Sequence, residues 1–143
     1  MRFWDSSGIA SLVLDDAFSD RARSLVLDDG AILVWCGTET EAASAIFRAV
    51  RAGRLPATRV GDALARLDAV AAGWREVPPG VGVRREARRV LPLHPLRAGD
   101  ALQLGAALVA AGGDSSVLEF VCFDDRLSSA ARAEGFTVLC ERP

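Results

Sequence analysis

The chain has no lysine: all 17 basic residues among its 143 are arginine. A P-loop binds phosphate through a Gly-Lys-Ser/Thr sequence, so the sequence excludes this class of nucleotide-binding protein. Receiver domains and haloacid-dehalogenase-type phosphatases both depend on a lysine near their aspartates, and they are excluded for the same reason. The phosphatases also need a second aspartate two positions after the first, and two positions after Asp5 this chain has Ser7.

Histidine and cysteine are also scarce. His94 is the only histidine and stands in a proline-rich turn, which favours a structural role over a catalytic one. A serine triad would depend on this histidine, and no cluster of histidine and cysteine is present to bind zinc. Cys36, Cys122 and Cys140 are far apart in apolar stretches, which predicts buried thiols in a reducing compartment and no disulfide framework.

Long apolar runs are missing as well. No stretch approaches the roughly 20 apolar residues of a membrane-spanning helix, and the start of the chain, Arg-Phe-Trp-Asp at residues 2–5, does not resemble a signal peptide. The net charge is −2 and the pI is about 5.4, so no overall positive field indicates nucleic-acid binding. We therefore expect a cytoplasmic protein that folds as a single domain over residues 1–143 and has no membrane partner.

The sequence does contain an alternation of short apolar strands with amphipathic helices. Strands are predicted at residues 2–4, 31–35, 75–77, 118–123 and 137–140. Helices are predicted at residues 7–14, 16–27, 38–51, 56–74, 81–91, 97–111 and 126–134. Such alternation implies right-handed crossovers between parallel strands. The predicted fold class is therefore α/β, a three-layer α/β/α sandwich with a mainly parallel five-stranded sheet.

The helix predicted at 97–111 is the most apolar helix of the chain. From Ala101 onward, Gln103 is the only polar side chain that interrupts it, which predicts a helix packed on several sides. Asp100 stands in the first turn of this helix. A carboxylate there interacts favourably with the positive helix N-terminus, but beside an apolar core it also needs a partner or a metal ion.

Four carboxylates stand where the predicted elements meet one edge of the sheet. Asp5 and Asp124 directly follow predicted strands, whereas Glu41 and Asp100 lie in the first turns of helices. Each alone is explained by a helix cap or a helix-end charge. Ligands bind beyond the carboxyl ends of the strands in such sheets, so we expect the four to converge. Converging carboxylates repel one another unless a cation compensates, and Mg²⁺ or Mn²⁺ is the cation that prefers oxygen ligands.

Four segments of the chain resemble the motifs of a PIN domain, with spacing most similar to the VapC-type toxins of bacterial toxin–antitoxin pairs. The segments are FWDSS at 3–7, TETEAASA at 38–45, LRAGDALQL at 96–104 and FDDRL at 123–127. The resemblance covers essentially the whole chain, and the segment at 96–104 is its most specific part. It implies a parallel sheet of strand order 3-2-1-4-5, in which Asp5 and Asp124 lie beside each other.

The resemblance also implies which residues form the site. The acids that match the metal-binding and catalytic residues of the family are Asp5, Glu41, Asp100 and Asp124. Ser6 resembles the small hydroxyl residue that often supports such a site. Asp125 is a less favoured substitute for Asp124, and Glu39 for Glu41.

The activity implied is an Mg²⁺-dependent endoribonuclease, also active with Mn²⁺, in which a metal-activated water hydrolyses RNA phosphodiester bonds. The partners implied are RNA, a cognate antitoxin and a second copy of the chain in a homodimer. The helices predicted at 7–14, 16–27 and 57–74 would contact the antitoxin and the second copy. Two alternatives stay open: a non-enzymatic PIN-like binding module, and a metal-dependent phosphatase or DNA nuclease that uses the same acids.

Six arginines are candidates for contacts with RNA phosphates, because guanidinium groups suit bidentate phosphate binding. A run of charge on a helix is also typical of a solvated face, so this role is a hypothesis. The six are Arg48, Arg51, Arg84, Arg85, Arg88 and Arg89.

Overall fold

The computed structural model describes residues 1–139, which form five β-strands and seven α-helices. The strands are β1 Arg2–Trp4, β2 Ile32–Trp35, β3 Arg75–Val77, β4 Phe120–Val121 and β5 Val138–Leu139. The helices are α1 Ser6–Val13, α2 Ser19–Asp28, α3 Thr38–Arg51, α4 Val60–Ala71, α5 Val81–Val90, α6 Ala98–Ala110 and α7 Asp125–Ala133. The predicted end of the last strand, at Cys140, lies outside the described residues.

All five strands are parallel and are ordered β3-β2-β1-β4-β5. Phe3 in the central strand lies opposite Leu33 of β2 and Phe120 of β4. The predicted α/β class, the parallel five-stranded sheet and the strand order implied by the resemblance are thus confirmed. Successive strands are added on opposite sides of β1, so the topological switch point falls between the carboxyl ends of β1 and β4.

Helices cover both faces of the sheet, and this burial explains why the strands lack polar alternation. Phe3 packs with Phe120, ring centroids 5.2 Å apart, in the core beneath α5, α6 and α7. The next residue in each strand, Trp4 and Val121, belongs to the core on the opposite face, beneath α1 to α4. All four side chains are fully buried, so the sheet is the middle layer of a three-layer structure.

Helix α6 packs closely against α5, as its apolar sequence predicted. A Cβ atom added at Gly105 would lie only 2.8 Å from the Val83 carbonyl oxygen and 2.9 Å from the Ala87 nitrogen. Only glycine therefore permits this approach of the two helix backbones. The packing fixes α6 over the sheet and brings its first turn to the carboxyl edge of the strands.

Two helices begin at other residues than predicted. Helix α1 begins at Ser6, one residue before its predicted start, and is capped by the Asp5 carboxylate, which accepts hydrogen bonds from the Ser7 and Gly8 N–H groups. Helix α2 begins at Ser19 and not at residue 16. Asp16 Oδ1 accepts a hydrogen bond from the Phe18 N–H, and the Asp16 N–H donates to the Ser19 hydroxyl. These side-chain bonds form a turn in place of the first helical turn.

Other predicted elements are longer than those observed. The helix predicted at 56–74 is a 3₁₀ turn, Ala57–Arg59, followed by α4. The strand predicted at 118–123 pairs only at Phe120–Val121, because its partner β1 offers just Phe3 and Trp4.

Within residues 1–139, no helix is both long enough and apolar enough to span a lipid bilayer.

Candidate active site

A cleft of about 590 Å³ opens at the carboxyl edge of the sheet, between the ends of β1 and β4 and the first turns of α3 and α6. All four acids singled out by the sequence line this cleft: Asp5, Glu41, Asp100 and Asp124. Their shared location follows from the topology, because β1 and β4 flank the switch point. The two substitutes considered, Glu39 and Asp125, are exposed and are not part of the cleft lining.

Asp5 is the most buried of the four acids, with 2% of its surface exposed. Its Oδ1 accepts hydrogen bonds from the Ser7 hydroxyl (2.7 Å) and the Gly8 N–H (3.1 Å), and its Oδ2 accepts one from the Ser7 N–H (3.1 Å). Burial raises the pKa of Asp5 to about 6, although these hydrogen bonds favour the charged form. No cationic group of residues 1–139 lies within ion-pair distance of this carboxylate.

Ser7 connects the two strand ends that flank the cleft. Its hydroxyl donates to Asp5 and accepts a hydrogen bond of 2.8 Å from the Phe123 N–H, just beyond β4. The resemblance to PIN-domain motifs had pointed to Ser6, which lines the cleft but makes no side-chain hydrogen bond within the described part of the chain. The supporting hydroxyl in this structure is therefore that of Ser7. Ser6 and Ser7 are consecutive residues directly after Asp5, so the sequence alone does not show which hydroxyl supports the site.

Asp5 directly follows β1, whereas Asp124 lies three residues beyond the last residue of β4. Asp124 is the N-cap of α7, and its Oδ1 accepts a hydrogen bond of 2.9 Å from the Leu127 N–H. The carboxylate is partly exposed to the cleft. Each of these two adjacent parallel strands is thus followed by an aspartate that caps the next helix.

Glu41 and Asp100 approach the cleft from helices on opposite faces of the sheet. Glu41 Oε2 accepts a hydrogen bond of 2.9 Å from Gln103 Nε2 in α6, across the edge of the sheet. Its other oxygen lies near the first turn of α6, 3.5 Å from where a Gly99 Cβ would stand. Asp100 Oδ2 accepts a long hydrogen bond of 3.3 Å from the Arg97 N–H. Neither acid has a cationic partner among residues 1–139.

Gln103 is a contributor that the sequence analysis did not assign to the site. It is 1% exposed and is the only side-chain amide in the whole chain. The sequence does contain a signal for this role, because Gln103 is a single amide within an otherwise apolar helix segment. A buried amide requires hydrogen-bond partners, and a polar site nearby can provide them.

The four carboxylates line the cleft separately, each held by its own hydrogen bonds. Within residues 1–139, no group of three or more histidine, cysteine, aspartate or glutamate side chains is arranged to hold a metal ion. The chemistry of the donor set nevertheless fits Mg²⁺ or Mn²⁺, since the part of the cleft lining that falls in residues 1–139 includes carboxylates and no histidine or thiol.

The cleft is lined by positively charged arginines as well as by acids. The cleft is lined by Arg48, Arg54, Arg97 and Arg126, and none of these four forms an ion pair with a carboxylate among the described residues. Arg48 was predicted to contact phosphate, whereas the other three were not. An arginine without a carboxylate partner keeps its full capacity to bind an anion.

The arginines of α5 lie away from this cleft. Together with Val81, they line a separate pocket of about 550 Å³ and comprise Arg84, Arg85, Arg88 and Arg89. Arg89 is bound by Glu86 (2.7 Å) and Glu134 (2.6 Å), which raise its pKa further. Glu134 also lies 2.9 Å from His94, so the single histidine belongs to a structural network between α5 and α7.

Two aromatic rings form part of the cleft wall. Phe18, in the turn before α2, stacks on Phe123, with ring centroids 4.7 Å apart and an interplanar angle of 9°. The stack joins the α1–α2 connection to the end of β4, next to the Ser7 bridge.

No protein-family model matches the chain, and comparison with curated proteins gives no significant match.

Proposed function

We propose that this chain is an Mg²⁺- or Mn²⁺-dependent endoribonuclease that hydrolyses phosphodiester bonds in RNA. The observation that carries the proposal is the buried Asp5 carboxylate, which lies at the switch point of the sheet without a cationic partner in residues 1–139. Burying a charge without compensation is costly, and a cation bound in the cleft would remove that cost. Glu41, Asp100 and Asp124, which also line the cleft, provide further oxygen ligands.

Asp5, Glu41, Asp100 and Asp124 would hold the ion. Because they do not form a closed ligand group as they stand, side chains of the other acids would have to rotate towards the ion, while Glu41 keeps its hydrogen bond to Gln103. When bound, the ion supplies the charge that activates an attacking water and offsets negative charge on the phosphate. No protein general base is then needed, in keeping with a cleft that contains no histidine.

The arginines of the cleft, which form no ion pair with a carboxylate of residues 1–139, support the proposed substrate class. Arg48, Arg54, Arg97 and Arg126 can each bind phosphate oxygens, and they are distributed around one open cleft. Several separate anion contacts suit a polymer with successive phosphates better than a single phosphomonoester. This distribution favours a nuclease over the phosphatase alternative.

The cellular role we propose is that of a cytoplasmic toxin, active as a homodimer and inhibited by a cognate antitoxin. In support, a second pocket of about 440 Å³ lies between α1, the end of α3 and α4. It shares Leu14, Asp16 and Arg54 with the cleft, and Val13 and Leu55 give it apolar walls. An amphipathic antitoxin helix bound there would lie directly beside the acids.

Cleavage assays with the purified protein test the activity. We expect single-stranded RNA to be cut in Mg²⁺ or Mn²⁺ and not in EDTA. Asp100→Asn keeps the size and hydrogen bonding of the side chain but removes its charge, so cleavage should fall by at least about 100-fold. Asp114→Asn, in the N-cap of the 3₁₀ turn Ser115–Val117 that follows α6, is the matched control and should cleave like the parent.

The outcomes separate the alternatives. A folded Asp100→Asn variant that cleaves RNA at the parental rate would refute the proposal. Faster cleavage of DNA of the same sequence, or of p-nitrophenyl phosphate, would support the DNA nuclease or the phosphatase. RNA binding without cleavage in either metal would support the binding module.

Co-expression tests the partners. The product of an adjacent small gene should co-purify with this chain, and the chain alone should elute as a dimer. A monodisperse monomer that does not bind this gene product would contradict the toxin–antitoxin role while leaving the nuclease activity open to its own test.

A further inference from the structure

A buried polar network connects α6 to α3 behind the cleft. Gln103 and Thr38 are 1% and 0% exposed, and they contact each other through both ends of the Gln103 amide. Gln103 Nε2 donates to Thr38 Oγ1 (3.2 Å), and the Thr38 hydroxyl lies 3.4 Å from Gln103 Oε1. The second donor of Nε2 goes to Glu41 Oε2 at 2.9 Å.

The hydrogen-bond inventory fixes the orientation of this amide. A carboxylate only accepts hydrogen bonds, so the NH₂ group, and not the carbonyl oxygen, must face Glu41. Both hydrogens of Nε2 are then used, one by Glu41 and one by Thr38. Because α5 packs on the backbone of α6 at Gly105, Gln103 is held on a rigid element. The network therefore holds Glu41 Oε2 at the cleft and leaves Glu41 Oε1 without a hydrogen bond from residues 1–139.

We infer that Gln103 is a positioning residue, which acts through Glu41 to preorganise the metal-binding carboxylates. This inference rests on the proposed function, because Glu41 is useful in this position only if it binds a cation. Hydrogen bonds behind a metal ligand hold it in the binding orientation, and their loss typically weakens metal binding 10- to 100-fold. Asp100 lies one turn before Gln103 in α6, so one helix provides one acid and orients another.

Calorimetric titration of Mn²⁺ into the full-length protein tests the inference without measuring activity. Gln103→Met has a similar shape but no hydrogen-bonding groups, and it should weaken Mn²⁺ binding about 10- to 100-fold. Gln103→His retains an N–H donor at similar reach and should recover most of the lost affinity. Leu104→Met changes the adjacent buried side chain of the same helix and should bind like the parent, which controls for altered packing.

NMR spectroscopy of the unmodified chain supplies a readout that does not depend on any variant folding. Because Gln103 is the only side-chain amide, its NH₂ group gives the only resonance pair of that kind in a tag-free protein. Mg²⁺ should shift this pair with the same saturation curve that a calorimetric titration of Mg²⁺ gives. The shift should disappear in Glu41→Ala.

Four results would overturn the inference. The first is that Gln103→Met binds Mn²⁺ with the affinity of the parent. The second is that Gln103→His binds Mn²⁺ as weakly as Gln103→Met does. The third is an amide pair that does not move while calorimetry shows that the parent binds Mg²⁺. In those three cases the metal site would stand without Gln103. If the parent binds neither ion, the proposed function fails and this inference fails with it.

Discussion

At the scale of single residues, Asp5 combines deep burial with an ionisable side chain. Its hydrogen bonds to Ser7 and Gly8 cap α1, a role that an asparagine side chain also fulfils. Burial nevertheless raises its pKa to about 6, from an ordinary value of 3.8. A group that served only as a cap would not need the charge, whereas a metal ligand does.

The raised pKa predicts how stability depends on pH in metal-free buffer. Between pH 3.8 and about 6 the folded state holds a proton on Asp5 that the unfolded state has lost. The stabilisation from Asp5 is therefore complete below pH 3.8 and is lost as the pH rises through about 6. Asp5→Asn has no such titration, so its free energy of unfolding should rise relative to the parent by up to roughly 3 kcal/mol between pH 4 and pH 7.

Urea denaturation in EDTA at several pH values measures this difference. Asp125→Asn, an exposed aspartate outside the cleft lining, serves as the control for general effects of charge. A difference between Asp5→Asn and the parent that stays constant from pH 4 to pH 7 would show that Asp5 does not titrate as described.

The sequence located four of the five acids that line the cleft, all except Asp16, but not the groups that hold them. Asp5 and Asp124 were found because the end of a buried strand can be recognised as an apolar run that is followed by a charged residue. Ser7 was missed in favour of Ser6, because the direction of a hydroxyl in the first turn of a helix depends on the position of the Phe123 N–H in a distant strand. Gln103 was recognised only as a polar residue that interrupts an apolar helix. Its hydrogen bond to Glu41 could not be predicted, because the two residues lie 62 positions apart along the chain.

At the scale of the elements, the turn from β1 into α1 is fixed by side-chain bonds to the end of β4. Ser7→Ala removes the donor to Asp5 and leaves the Phe123 N–H without its acceptor. We expect the variant to lose about 1–3 kcal/mol of unfolding free energy. Ser6→Ala is the matched control and should stay within about 0.5 kcal/mol of the parent. Equal losses in chemical denaturation of the two variants would contradict the bridging role of Ser7.

The close contact of α5 and α6 gives a second prediction at this scale. Gly105→Ala places a methyl group within 3 Å of backbone atoms of α5, which cannot move away as a side chain can. The resulting overpacking should cost about 1–3 kcal/mol in thermal or chemical denaturation. Gly61→Ala in α4 meets nothing within 4 Å and should leave stability unchanged or slightly raised. A Gly105→Ala variant as stable as the parent would show that the helices can separate freely.

Element boundaries were less predictable than element types. The start of α2 was predicted three residues too early, because Asp16 and Ser19 satisfy backbone groups of the turn themselves. The length of β4 is set by its neighbour β1, which no local pattern in 118–123 reveals. Long apolar helices such as α6 were found accurately, because their buried faces dominate the sequence pattern.

At the scale of the whole molecule, the sheet order determines where chemistry is possible. Parallel strands added on both sides of β1 leave the carboxyl ends of β1 and β4 adjacent at the switch point. The four acids reach this point from β1, α3, α6 and the end of β4, that is, from both faces of the sheet. Their convergence on one cleft followed from the sequence, since strand ends and helix N-termini lie at the same edge in this architecture.

The distribution of arginines was predicted less well, because helix faces had to be assigned without knowing the layer in which each helix lies. Arg97 and Arg126 gain access to the cleft from their positions beside Asp100 and Asp124. The α5 arginines, which the sequence offered as a cluster, lie at a separate pocket instead. Proximity to the predicted acids along the chain was the better guide to the cleft.

Mn²⁺ binding to the parent, Asp124→Asn and Asp125→Asn, measured by calorimetry together with thermal denaturation, decides whether the acids of the cleft form a metal site. The two aspartates are neighbours, but only Asp124 lines the cleft. We expect the parent to bind Mn²⁺ and to gain about 2.7 kcal/mol of stability at a hundredfold excess over Kd. Asp124→Asn should bind at least about tenfold more weakly, and Asp125→Asn should bind like the parent. No binding heat and no shift of Tm for the parent, or equal binding by all three proteins, would show that these acids do not form a metal site.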